Sequence, residues 1–293
     1  MFRHRKPLFG MGLFVLFALV LLLGIRHGKG AVRRFGLEPR IQQPLSILMY
    51  HKVVPDGEPC NDMRVTVSKL REDFQYLRDL GCTPVLPRDL LSGEPLPRRP
   101  VMLTFDDGYA DNYTLLFPLL QEFQYKALIC PIVTCTDNPW ASDFCRWDAY
   151  REMDASGLVE IGSHTYALHN LENGGAVYDD GTPNGIQRLE GETDAAFRVR
   201  VLEDLQKSYD RLTEELGHAP LCFAYPYGAK EPDAQSLIDE LFPVSLLTWP
   251  DTADLANGTI RMPRWTVNMY TPLSYFIRYP SHFVSFFGYL NET

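Results

Sequence analysis

No acidic side chain occurs in the first 34 residues, whereas all 37 Asp and Glu residues fall in the remainder of the 293-residue chain. Seven of the 28 Lys and Arg residues lie in that opening segment. Residues 35–293 therefore hold 21 basic against 37 acidic residues, a net charge of −16. A surface of that sign argues against nucleic acid as a partner. It is compatible with a neutral polymer or a cationic product, and it serves solubility. No glycine pattern of the dinucleotide or phosphate-loop kind succeeds any apolar run. The six cysteines, at 60, 82, 130, 135, 145 and 222, form no zinc pattern, because the C-x4-C at 130–135 lacks a second pair. They leave fifteen disulfide connectivities and buried free thiols equally open. Histidine is scarce too, with seven in the chain.

Charge is absent altogether from Leu8 to Ile25, an 18-residue apolar run flanked by Arg3, Arg5 and Lys6 before it and Arg26 and Lys29 after it. About 20 apolar residues span a bilayer, with about 17 as the lower limit. The run ends Leu22-Leu23-Gly24-Ile25-Arg26 without a small-x-small cleavage site. The expectation is an uncleaved signal anchor within residues 1–30, with secretion after cleavage as the alternative. A linker at 31–44 leads to one domain at 45–293. The chain would then be a single-pass protein of the plasma membrane with that domain outside the cell.

From residue 45 onward, apolar runs of strand length alternate with helical patterns. LSILMY (45–50), VMLTF (101–105), KALICPIV (126–133), LVEIGS (158–163), LCFAY (221–225) and VSLLTW (244–249) read as strands. SKLREDFQYLRDLG (68–81) places Leu70, Phe74, Leu77 and Leu80 at helical spacing, with Ser68 as N-cap. YTLLFPLLQEF (113–123), WDAYREMDASG (147–157), DAAFRVRVLEDLQKSYDRLTEELG (194–217) and DAQSLIDELF (233–242) are further helices. Repeated β-α order with continuous apolar strands predicts an α/β fold with a parallel sheet. A distorted (β/α) barrel of about seven strands is favoured over an open doubly wound sheet. Between Asn170 and Thr193 the pattern lapses, leaving a lid, a substrate-rim loop or a surface insertion open.

The unusual polar residues collect at C-terminal strand ends, the face where barrel enzymes build their sites. His51 comes directly after 45–50, Asp106 and Asp107 after 101–105, and His164 after 158–163, with His169 five residues on. Tyr225-Pro226-Tyr227-Gly228 closes 221–225. Two adjacent carboxylates ending a buried strand need a neutralising partner. Two histidines and a carboxylate form a common hydrolytic zinc shell with a position left for water. One of the two aspartates would ligate the metal while the other acts as general base. A glycosidase pair fits less well, because its carboxyls face each other across about 5–9.5 Å. Taken singly, TFDDG could be a strand and an Asx turn, and His51 could be bonded to a backbone carbonyl. Their joint occurrence in a β/α context favours the metal site. Amide hydrolysis must also protonate the departing amine, and His51 at the same mouth has a suitable ordinary pKa of ~6.5.

TFDDG (104–108), SHTYALH (163–169) and FAYPYG (223–228) resemble the three motifs of the polysaccharide deacetylase family, carbohydrate esterase family 4 with its NodB homology domain. The resemblance extends through most of residues 45–270. It implies a distorted (β/α) barrel, one divalent metal, usually Zn²⁺, and removal of N-acetyl groups from N-acetylglucosamine-containing polysaccharide or peptidoglycan. By motif it makes Asp106 the base, Asp107, His164 and His169 the metal ligands, and the Tyr227 backbone N–H an oxyanion donor. Pro226, Trp249 and Arg264 are candidate substrate contacts. Two departures stand out: Ala224 replaces the Arg of the third motif, and the late L-x-H motif is missing. Arg264, in RMPRWTV (261–267), is the candidate to replace that Arg beside Asp106. LMYHKV (48–53) ahead of the first motif is similar to the subgroup acting on exported poly-N-acetylglucosamine, where an early His replaces the late one. A catalytically inactive, metal-containing glycan-binding membrane protein is the second reading, resting on the missing Arg.

Overall fold

The computed structural model describes residues 43–169, 185–228 and 232–277. The apolar run Leu8–Ile25 and residues 170–184 lie outside them. Among the described residues no helix is long and apolar enough to cross a membrane.

The chain enters through β1 (Pro44–Tyr50), two short strands β2 (Lys52–Val54) and β3 (Arg64–Thr66), and helix α1 (Val67–Asp79). The cap of α1 is Thr66, whose side chain accepts from the Lys69 N–H, and not Ser68 as expected. Ser68 instead donates its hydroxyl to Asp56 at 2.6 Å. Next come β4 (Thr83–Pro84), α2 (Pro87–Leu91) and the eight-residue strand β5 (Pro100–Asp107). The helix expected over 113–123 is split into a π-helical turn, Asn112–Leu116, and α3 (Phe117–Phe123). The ladder changes register where Pro118 has no N–H to give.

After β6 (Ala127–Pro131) come α4 (Val133–Asp137), α5 (Trp147–Ala155) and β7 (Val159–Ile161). The long helix α6 (Asp194–Leu216) starts on a Thr193 cap and stops at Gly217, whose φ of +78° costs a glycine nothing. The chain closes with β8 (Cys222–Ala224), α7 (Pro232–Leu241), β9 (Val244–Leu246), β10 (Ala253–Asp254) and β11 (Trp265–Thr266).

The result is an α/β fold around a mostly parallel sheet. β1 pairs in parallel with β5, β5 with β6, and β6 with β7, while β10 joins β1 antiparallel. Single parallel bridges, Ser163 to Phe223 and Leu246 to Met262, carry the pairing from β7 to the β8–β9 pair and onward. β11 then pairs in parallel with β1, so the sequence of pairings returns to its start.

Strand alternation sorts the core. Leu48, Tyr50, Leu103, Phe105 and Ile129 pack with Phe74 and Leu77 of α1 and Leu120 of α3 in one cluster. Leu45, Ile47, Met102, Leu128, Cys130, Cys222 and Leu246 fill another on the opposite face of the sheet. Asp106 has the parity of Met102 and Thr104, so the strand itself aims it at that second face.

Candidate active site

The two aspartates are separated by a change of backbone hand. Asp106 ends the regular strand, but Asp107 has φ +70° and Gly108 φ +79°. Asp107 is thereby turned out of the alternation. Thr165 and Tyr227, beside the other two motifs, are also left-handed, at φ +74° and +55°. Non-glycine residues in that region cost free energy and gather at functional sites. Gly108 is required twice over: a Cβ there would sit 2.7 Å from the Pro131 Cβ and collide with the Tyr150 hydroxyl. Tyr150 uses that hydroxyl to donate to the Gly108 carbonyl at 3.1 Å.

Asp107, His164 and His169 come together. His164 Nε2 lies 3.5 Å and His169 Nε2 3.3 Å from Asp107 Oδ1, and the three atoms lie within 4.8 Å of one another. The His164 Nδ1 is 2.8 Å from the Ala224 carbonyl, an acceptor only, so Nδ1 carries the hydrogen. Its Nε2 then presents a lone pair to a carboxylate oxygen that is buried without a hydrogen-bond partner. Burial pushes the His164 pKa down to about 4, which keeps the ring neutral. Lone pairs facing lone pairs at this range need a cation between them. Two donors bound tetrahedrally at 2.0–2.2 Å stand ~3.4 Å apart, which matches the separations found. The residues therefore fit a divalent cation. Burial works against ionisation of Asp107, but its contact with His169 and the nearby imidazoles of His51 and His164 outweigh it. Its carboxyl is held well below the usual range.

Asp106 has a different partner. Arg264 Nη1 and Nη2 donate to its Oδ1 and Oδ2, both at 2.7 Å, and neither residue is more than 1% exposed. Arg264 also donates to the Leu247 carbonyl and to Thr104 Oγ1. Burial would raise the Asp106 pKa; the charge of Arg264 beside it overcomes that and keeps it low. The expected role of Arg264 as a substrate contact is corrected here: its whole surface is enclosed by the protein.

His51 is buried, and its Nδ1 finds no hydrogen-bond partner among the described residues. Its ring is near enough to influence the carboxyls of both Asp106 and Asp107. Tyr227 sits over His169 with ring centroids 4.7 Å apart, its hydroxyl 3.3 Å from His169 Nδ1. Tyr227 and Trp249 are exposed, at 41% and 49%, whereas Pro226 is buried and offers a substrate little surface.

Residues that sequence reasoning missed hold this set in place. Asp204 of α6 accepts from the Tyr166 and Ala167 N–H groups at 2.8 and 2.7 Å and so fixes the loop between the two histidines. Asn112 donates to the His51 carbonyl. Neither adjoins a histidine in sequence, so spacing carries no signal for them.

The sequence profile of the family described as polysaccharide deacetylase matches residues 93–241, half of the chain. The chain belongs to the polysaccharide deacetylase family. It is 32% identical over 203 residues to the poly-β-1,6-N-acetyl-D-glucosamine N-deacetylase of Escherichia coli K12, covering 62% of this chain and 30% of that protein. The chain thus spans less than a third of that relative's length. Among solved structures it resembles IcaB from Ammonifex degensii, with a TM-score of 0.65 and 26% identity over 80% of this chain and 94% of the other. It also resembles the deacetylase domain of BpsB from Bordetella bronchiseptica, with a TM-score of 0.63 and 27% identity over 78% and 97%.

Proposed function

We propose that residues 45–293 form a metal-dependent N-deacetylase that removes acetyl groups from N-acetylglucosamine-containing polysaccharide of the β-1,6-linked type. The observation that carries this reading is the convergence of Asp107, His164 and His169 beside an Asp106 held by Arg264. A divalent ion, Zn²⁺ by its preference for two imidazoles and a carboxylate, would supply Lewis-acid polarisation and lower the pKa of water. Asp106, ionised and oriented by Arg264, takes a proton from the water that attacks the acetamide carbon. The Tyr227 backbone N–H, on the turn beside His169, would bond the carbonyl oxygen as charge develops there. His51 donates a proton to nitrogen as the C–N bond breaks, so that water and amide become acetate and amine. The ring of pairings that returns to β1 supports a distorted barrel of seven strands, with these residues at one mouth.

An inactive glycan-binding protein rested on the Arg missing at Ala224, and Arg264, just before β11, occupies that role. We propose also that Leu8–Ile25 tethers the domain to the outer face of the plasma membrane, from its 18 uncharged residues and basic flanks. Membrane fractionation of the full chain tests that, and a protein recovered entirely in the soluble fraction would refute it. Acetate release from poly-β-1,6-N-acetylglucosamine oligomers, with and without chelator, tests the activity. No metal-dependent release from that or any other acetylated glycan would refute the reading.

A further inference from the structure

We infer that Asn112 is a positioning residue that sets the place of His51, an inference that rests on the proton-donating role proposed for His51. Asn112 opens the π-helical turn just after TFDDGYAD and is wholly buried. Such turns are rare and frequent at functional sites. Its Nδ2 donates to the His51 carbonyl at 3.1 Å and to Asp111 Oδ1 at 3.1 Å. The same Asp111 oxygen accepts from the Val53 N–H at 2.9 Å. The backbone on both sides of Lys52 is thus tied to two adjacent side chains beyond the paired aspartates.

This tie has a consequence for the chemistry. Asp106 and Asp107 are carried by β5, whereas His51 lies between β1 and β2, beyond the end of regular pairing between β1 and β5 at Tyr50 and Phe105. The His51 ring makes no bond through Nδ1 that would locate it. Its position relative to the aspartates is therefore set through its backbone, and Asn112 bonds that backbone directly. Both amide hydrogens of Asn112 are committed to acceptors, so the amide cannot be turned over, and its Oδ1 finds no hydrogen-bond partner among the described residues. A carboxylate in its place would set oxygen against the His51 carbonyl and Asp111.

The test is a double-mutant cycle read by steady-state kinetics on the zinc-loaded full chain with acetylated oligomers. Asn112→Asp should lower kcat by about 10²-fold, the scale of a 1 Å misplacement, with KM and zinc content held. Asn112→Ala, which removes the bond without adding charge, should lower it less. The alkaline limb of the kcat–pH profile should move in both. In a His51→Ala background either change should have little further effect, because the group it places is gone. An equal loss in that background, or failure of both variants to fold, would mark a purely structural residue and overturn the inference. Unchanged turnover in His51→Ala alone would sink the reading of His51 itself.

Discussion

Arg264 and Asp106 form a two-pronged ion pair at 2.7 Å on each prong, fully enclosed although 158 residues separate them in the chain. Removing one member of such a pair leaves an uncompensated buried charge, at a cost of about 3–5 kcal/mol. Arg264→Met should therefore destabilise the protein by that order in urea unfolding. Asp106→Asn in the same background should recover part of it, because no carboxylate is then stranded. A loss under about 1 kcal/mol would place the pair in a far more solvated setting.

The division of labour between the aspartates makes a separate prediction. His164→Ala, His169→Ala and Asp107→Asn should each lower zinc content measured after dialysis. Asp106→Asn should keep its zinc while turnover drops ~10²–10⁴-fold, the usual contribution of a general base. Equal zinc loss in Asp106→Asn and Asp107→Asn would contradict the assignment.

Part of this site is legible in the sequence because its residues are local. Asp106 and Asp107 adjoin, and His164 and His169 are five apart, so a strand end and a short loop are enough to define them. The parallel sheet is legible for the same reason: buried strands are continuous apolar runs. The features that escape sequence reading depend on contacts distant in the chain. Asp204 reaches the histidine loop from the middle of a helix whose pattern is otherwise ordinary. The π-helical turn at Asn112 looks like plain helix in its spacing. The short strands β10 and β11, two residues each, carry no periodicity at all.

Stability should depend on pH in a direction set by buried carboxyls. Burial, only partly offset by nearby donors and cations, raises Asp73, Asp111 and Asp204 to about 6 and Glu160 to about 7. Between about pH 4 and those values the folded state holds protons that the unfolded chain has shed, so stability falls as pH rises. His164, pushed down to about 4, works the other way, since the unfolded chain takes up its proton first. Four groups oppose one. In chelator, the melting temperature should be higher near about pH 5 than near about pH 7.5. It should fall again below the ordinary Asp value of 3.8, where the unfolded chain takes up protons that folded Asp106 and Asp107 still refuse. A monotonic rise from pH 5 to 7.5 would mean these carboxyls are better solvated than their burial implies.

His51 carries the last prediction. An amine leaves an amide poorly unless it is protonated as the bond breaks, and Asp106 is badly suited to supply that proton. Its two oxygens are clasped by Arg264, and its low pKa favours the ionised form across the neutral range. Asp107 is likewise held low, by its histidine neighbours, and His164 has its Nδ1 hydrogen committed to Ala224. His169 turns Nε2 to Asp107 and Nδ1 to the Tyr227 hydroxyl. That leaves His51, near both aspartates, with a ring nitrogen not engaged by the described residues. His51→Ala should keep its zinc and its fold, while kcat falls ~10²-fold or more. The alkaline limb of the pH–rate profile should flatten, because it reports loss of the donated proton. Substrates with a better leaving group should suffer less from the substitution, since they need that proton less. If amides and activated esters lose activity to the same degree, His51 does something other than protonate the departing nitrogen.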